Sequence, residues 1–256
     1  MNTRNKISLS LVCFLLVLAA NVSAEPRVEL EGRYWQPSLK GQVSVTTENI
    51  SGTDIDLNND LGLDKQGLPE ARLLWHSTKN SELRLAYMRM NYSAAQAISQ
   101  SFVFNGKTYT VGTNVDSDFK VQYVRLGWIW QPIHLVDDKV KLGPIVDLKG
   151  FFFDTSLNAS AVGVTESKKF MGGLPTIGLA LNINPNKYFS VFAEVSGIGT
   201  GSYGHLFDAE AGVKIHPTQN LSIEGGYRVF NLDVTVNNNK GNIELAGPFA
   251  GVVLKF

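Results

Sequence analysis

Four histidines are the first residues to test for chemistry: His76, His134, His205 and His216. Only His205 has a hydroxyl and a carboxylate close in sequence, at Ser202, Tyr203 and Asp208. Nucleophilic or water-activating catalysis needs base, orienting acid and nucleophile within mutual hydrogen-bond reach. Positions 205 and 208 differ by three, so on one strand they point to opposite faces; in a loop the objection weakens. No hydrolase motif accompanies them, and the expectation is no enzyme and no cofactor. A second candidate is the run Asp54, Asp56, Asn58, Asp60 and Asp64. The EF-hand calcium pattern fails there, because Asn59 stands where Gly is needed and Lys65 where Glu is needed. Solvated turn residues are the simpler reading, with a loose calcium or anion-bridging site as the sharper one and no metal expected. Cys13 lies in an apolar leader, so the remainder of the chain has no thiol chemistry.

A larger set of chemically capable residues shares a position in an alternating pattern. Arg27, Arg33, Arg72, Arg84, Arg125, Lys141, Lys149, Lys214, Arg228 and Lys255 fall on the polar phase. Glu29, Glu31, Glu70, Glu82, Asp147, Glu194, Asp208, Glu210 and Glu224 fall on the same phase. On the other phase stand apolar residues: Val28, Leu30, Gly32 and Tyr34 interleave with Arg27 to Arg33, and Phe207, Ala209, Ala211, Val213 and Ile215 with Asp208 to Lys214. Period two is the signature of a half-buried strand. Helical spacing fits no comparable length.

Ten such segments are predicted: 27–36, 67–76, 82–92, 115–130, 139–152, 174–183, 188–197, 205–216, 221–232 and 243–256. The fourth is irregular, because Lys120 and Gln122 share a phase with Leu126, Trp128 and Trp130. That implies a bulge or an extension of the strand beyond its main environment. The connections alternate in length. Residues 77–81, 184–187 and 217–220 are tight turns rich in Asn, Pro, Ser and Thr, and 131–138 is somewhat longer. Residues 37–66, 93–114, 153–173, 198–204 and 233–242 read as long polar links. Within 93–114, Asn105-Gly106 flanked by alternating apolar residues predicts a hairpin that extends the wall.

The ends of the chain give the setting. Arg4 and Lys6, an apolar stretch from Ile7 to Ala20, and Val22-Ser23-Ala24 form the three regions of a cleavable signal peptide over 1–24. The stretch is shorter than the ~20 residues a membrane-spanning helix needs. The 23 basic and 23 acidic residues balance; removing the leader leaves about −2, which disfavours a nucleic-acid partner. The chain ends on Phe256, with Leu254 and Val252 on its face and Lys255 and Val253 on the other.

Alternation alone fits a barrel in water or in lipid. Facing lipid, each Lys or Arg near the midplane would cost ~2–4 kcal/mol, and ten would exceed a typical ~5–15 kcal/mol of stability. In a membrane the charges must therefore face the lumen. Trp75, Trp128, Trp130, Phe189 and Phe256 all fall near strand ends on the tight-turn side, where an interfacial aromatic girdle belongs. With the leader, the turn rhythm, Asp60-Leu61-Gly62-Leu63-Asp64, Leu68-Pro69-Glu70-Ala71-Arg72 and the terminal Gly-Val-Val-Leu-Lys-Phe, the chain resembles small outer-membrane β-barrel proteins of Gram-negative bacteria. The resemblance implies an all-β, antiparallel up-and-down transmembrane barrel over 25–256, of about ten strands, with eight or twelve as alternatives. It implies long loops outside the cell and both termini in the periplasm. It also implies Val252, Leu254 and Phe256 as an insertion signal for the barrel insertion machinery, and lipid and lipopolysaccharide as partners; Lys168-Lys169 could meet the latter. A barrel this narrow is largely filled by its own side chains. The leading expectation is a structural or surface-interaction role with the lumen closed by a charge network. The alternative is a narrow channel for small polar solutes, and a rim hydrolase is the third reading.

Overall fold

The computed structural model describes residues 27–44, 46, 52–63, 65–97, 101–104, 107–159, 164–236 and 239–256. The signal-peptide expectation, Asp64 and the Asn105-Gly106 pair lie outside the described residues. Fifteen strands run in chain order: β1 (Val28–Trp35), β2 (Ser38–Ser44), β3 (Ile55–Asp56), β4 (Leu68–Thr78), β5 (Ser81–Ala97), β6 (Phe102–Phe104), β7 (Lys107–Tyr109), β8 (Asn114–Trp130), β9 (Ile133–Leu135), β10 (Val140–Ala159), β11 (Val164–Asn186), β12 (Phe189–Gly199), β13 (Gly204–Ile215), β14 (Leu221–Val236) and β15 (Asn239–Lys255). Ten of them, β1, β4, β5, β8 and β10 to β15, form the wall of a closed antiparallel barrel, each paired with its sequential wall neighbour. β1 closes it by pairing with β15, Glu29 opposite Lys255 and Trp35 opposite Phe249. The last residue is tied down: Phe256 N donates to Val28 O at 2.8 Å, and Phe256 O accepts from Arg27 N at 2.9 Å.

The strands are longer than the expected segments at the end away from the tight turns. β5 and β8 have 17 residues each, β10 has 20 and β11 has 23, against the ~9–11 that a tilted crossing needs. Much of the expected links 93–114, 153–173 and 233–242 is therefore strand. Their outward residues are polar, which makes an exposed strand look like a loop in sequence. The irregular fourth segment is an extension, not a bulge. β8 pairs with β5 without interruption from Trp130 opposite Ser81 to Asn114 opposite Ala97.

This extension reverses the solvent on each face of the wall without changing side-chain phase. On β5, Leu83, Leu85 and Tyr87 point out and Glu82 and Arg84 in; further along, Arg89 and Ser93 point out while Met88, Met90 and Tyr92 are buried. On β8, Leu126, Trp128 and Trp130 are exposed, whereas the outward positions above them are Asp116, Asp118, Lys120 and Gln122. β10 repeats it, with Val146, Leu148 and Phe152 outside below Asp154 and Ser156. The exposed apolar belt continues through Ile177, Leu179, Phe207, Val213, Ile215, Ile223, Tyr227 and Val252. Water gives no reason to leave Ile177 at 73% and Leu126 at 55% exposed beside fully buried arginines. Lipid does.

The link after β12 is a short exposed turn over Gly201–Tyr203, whereas the two long links 37–66 and 93–114 turn described residues toward the lumen. The chain leaves β1 at Gln36-Pro37, and β2 continues along β15 above it, Ser38 opposite Ala246. The first loop then buries Ile55, Leu57, Leu61 and Leu63. In the second, β6 and β7 form the expected hairpin, Phe102 opposite Tyr109. It is a separate two-stranded sheet and does not extend the wall. Its register puts Phe102, Phe104 and Tyr109 on one face, and all three are buried in the lumenal core.

Candidate functional site

The lumen is the only place where many functional groups converge among the described residues, and it divides into three levels. At the tight-turn end is a polar vestibule of about 240 Å³. The middle is a network of ion pairs. The end bearing the two loops is an apolar core.

The ion pairs are held by strands whose inward positions alternate with lipid-facing ones, so each strand can deliver only every second residue. Arg33 on β1 binds both Glu224 oxygens, one at 3.1 Å through Nη2, and reaches Glu210 at 3.1 Å. Arg72 on β4 donates to both Glu210 oxygens at 2.9 and 2.8 Å and to Glu70 at 3.1 Å. Arg228 on β14 makes a two-point contact with Asp208 at 2.9 Å each, and Lys149 Nζ approaches the same carboxylate at 2.7 Å. Arg125 holds Asp147 at 2.9 Å through two nitrogens, while Arg84 holds Glu194 at 2.7 and 2.8 Å and Glu82 at 3.0 Å. Lys214 joins Glu31 at 2.8 Å to Glu224 at 3.3 Å. Planar guanidinium groups suit such two-point contacts. Two glycines make room. A Cβ on Gly127 would stand 2.5 Å from Asp147 Oδ1, and one on Gly251 would stand 2.9 Å from Arg33 Cγ.

The expected lumen set is thus brought together, with exceptions at its edge. Arg27 is exposed at the barrel end. Lys141 sits in the vestibule, its Nζ 3.4 Å from Lys79 O. Glu29 and Lys255 meet at 3.7 Å near the mouth, where His76 Nε2 lies 3.2 Å from Glu29. The girdle residues Trp75, Trp128 and Trp130 are exposed on the outer face, the latter two stacked with centroids 6.3 Å apart. Phe189 and Phe256 are half-buried near the same end, and Val252 and Leu254 point outward with Phe256.

The histidines separate. His205 is exposed on the outside of β13 and Asp208 is buried inside, consumed by Lys149 and Arg228. His134 lies in β9 and bonds Asp138 at 2.7 Å and Gln131 O at 2.9 Å. His216 bridges Ser190 Oγ at 3.0 Å and Ser222 Oγ at 2.7 Å, with no carboxylate among these ring partners. In the first loop the acids serve the backbone: Asp56 Oδ1 accepts from Asn58 N and Asn59 N, and Asp60 Oδ2 from Asp56 N.

Sequence reading had the charges filling the lumen; the charged level is only its middle. Above it, Leu39, Met90, Phe119, Val121, Tyr123, Phe151, Phe230, Leu232, Ile243 and Leu245 are buried in one core with the two loops. Rings chain around it: Tyr123–Phe151 at 5.3 Å, Phe151–Phe230 at 5.8 Å and Phe119–Phe153 at 6.2 Å. Two arginines join the levels. Arg33 lies 4.7 Å over Phe249, and Arg228 lies 4.9 Å over Trp35, contacts worth up to ~2 kcal/mol when desolvated. Trp35 is anchored by its Nε1 donating to Gly247 O at 3.0 Å. The signal was present in sequence: inward phase continues from Arg84 through Met88, Met90 and Tyr92, and from Lys149 through Phe151 and Phe153.

No protein-family model matches the sequence, and no curated protein matches it. The fold is that of Gram-negative outer-membrane β-barrels. The outer-membrane protease OmpT from Escherichia coli superposes with a TM-score of 0.58 at 10% identity, over 93% of this chain and all of that one. The translocator domain of the autotransporter NalP from Neisseria meningitidis gives 0.50 at 11% identity, over 99% of this chain and 97% of that domain. At such identities the likeness is one of fold alone.

Proposed function

We propose that the protein is a closed outer-membrane barrel that acts through its external extension, with no conducting pore and no catalytic role. The observation that carries this reading is the middle level of the lumen. Eight wall strands send ion-paired side chains to the axis there, and the apolar core stacks on top. Opening a path would strand buried charges, at ~3–5 kcal/mol for each broken pair. In planar bilayers the protein should give no single-channel steps over a wide voltage range; reproducible steps would overturn the closed lumen.

In this reading the loop end faces the exterior, and the tight turns and both termini face the periplasm. Lipid contacts the apolar belt. Lipopolysaccharide headgroups meet the polar outer positions above it, where Lys120, Lys168 and Lys169 stand. Val252, Leu254 and Phe256 present the terminal strand to the insertion machinery. An epitope inserted after Gly112, an exposed turn residue, should be detected by antibody on intact cells; detection only after permeabilisation would reverse the orientation.

The vestibule favours a second reading, a passage for small polar solutes that stops at the network in this state. Arg72→Ala with Glu210→Ala removes a central pair together. Under the closed-barrel reading this variant conducts weakly at most; wild-type conductance would support the passage.

A further inference from the structure

The apolar level contains polar atoms that no described residue satisfies, the phenol oxygens of Tyr92 and Tyr123. Tyr92 is 2% exposed, and its Oη has no hydrogen-bond partner. The ring stands on β5 directly across from Phe119, in the part of the wall above the lipid belt. It lines a small central void of about 10 Å³ whose other walls are wholly apolar, among them Phe151, Phe230, Leu232 and Ile243. A buried hydroxyl without a partner costs ~1–3 kcal/mol. A water there is a poor remedy, because it needs two to four polar partners and the void offers one. Burial pushes the Tyr92 phenol up to about 12, so it remains a hydrogen donor throughout the physiological range.

We propose that the apolar level binds a small, mostly apolar molecule carrying one hydrogen-bond acceptor, held by Tyr92 Oη. Space for it comes from the ring pair Phe102–Tyr109, stacked at 5.3 Å, which occupies the same core from the second loop. Those two rings sit on a two-stranded sheet unattached to the wall ladder, and an isolated pair of strands is marginal alone. Among the described residues its polar ties to the rest of the molecule are these: Val103 O accepts from Thr53 N and Val103 N donates to Thr53 Oγ1, both at 3.1 Å, and Tyr109 Oη reaches Leu157 O at 3.4 Å. Much of the wall around the void is held on both sides by comparison: β8 at Phe119 and Val121, β10 at Phe151 and Phe153, and β14 at Phe230 and Leu232 each lie between two paired strands, while β5 at Tyr92 is paired to β8 alone. Below, the ion pairs form a floor that an apolar molecule cannot cross. The site is therefore a cup that opens at the loop end. This goes beyond the closed-barrel reading and leaves conductance unchanged, so the two fail separately.

The test uses the full barrel in phosphatidylcholine nanodiscs with two fluorescent probes, 2-acetylnaphthalene, which has a carbonyl acceptor, and naphthalene, which has none. Empty nanodiscs supply the partitioning background. Both probes should show a saturable component above that background. Tyr92→Phe keeps the ring and should weaken 2-acetylnaphthalene about fivefold while leaving naphthalene unchanged. Leu232→Trp fills the void and should abolish the saturable component for both. Folding of each variant is read from its heat-modifiable gel migration. No saturable component in the wild type, or equal binding of 2-acetylnaphthalene by wild type and a folded Tyr92→Phe, overturns the proposal.

Discussion

The barrel is two structures built on one set of strands. In the lower half, apolar side chains point outward and charges point inward. In the upper half the same backbone, with the same side-chain phase, points polar residues outward and aromatics inward. β5 changes over between Tyr87 and Met88, and β8 between Gln122 and Arg125. The difference teaches that a strand's phase determines which residues share a face, while the chemistry of each face follows the solvent outside it. The lower half is stabilised by lipid around its rim and by ion pairs at its axis; the upper half is an ordinary hydrophobic core with loops packed into it.

The largest expected effect breaks the lower half from inside. Asp208→Ala leaves Lys149 and Arg228 buried without their shared carboxylate, and urea unfolding should show a loss of ~3–5 kcal/mol. A conservative change at the same depth in the upper half, Phe230→Leu, should cost under about 1.5 kcal/mol. Comparable losses at both sites would erase the distinction. Next comes the outer face. Leu126→Lys places a charge in the lipid belt and should cost ~2–4 kcal/mol. Gln122→Lys, four residues along the same face of the same strand, should stay within ~0.5 kcal/mol. Equal penalties would mean that the lipid boundary is misplaced.

Third, Gly127→Val pushes a side chain into the space Asp147 uses and should cost ~1–3 kcal/mol by overpacking. Gly112→Ala, an exposed position with nothing within 4 Å of its Cβ but a φ of 83°, should cost ~1 kcal/mol. The smallest effect belongs to the upper half and to pH. Burial pushes the phenols of Tyr92 and Tyr109 up to about 12, above the usual value of about 10. The folded state therefore holds these protons longer than the unfolded one. Stability should be level below about pH 10 and decline as pH rises from there toward 12. Tyr92→Phe with Tyr109→Phe should flatten that part of a Tm-against-pH profile; an unchanged slope would show that neither phenol is buried.

The lower half was legible in sequence because its two faces differ so strongly. Arg84 between Leu83 and Leu85 admits one arrangement, and lipid cost alone sends the arginine inward. Neighbouring charges of opposite sign on that phase made the network foreseeable, although partners such as Arg72 with Glu210, 138 residues apart, require the closed topology. The upper half was not legible as wall. Asp116, Asp118 and Lys120 on one phase look like loop composition, because an exposed strand and an exposed loop both present polar groups to water. The Asn105-Gly106 signal foretold a hairpin but not its place. Where Phe102 and Tyr109 go depends on a core assembled from strands far apart in sequence.

The change of solvent along a single strand face is the most direct test. The only cysteine is Cys13, so in a Cys13→Ser background single cysteines can be placed at outward positions 83, 85, 87, 89 and 93 of β5. Each carries a nitroxide label, and its accessibility to oxygen and to an aqueous nickel complex is measured in liposomes. The two-level account predicts lipid-like values at 83, 85 and 87 and a step to water-like values at 89 and 93. Lipid-like values through 93, or water-like values at 85, would contradict it.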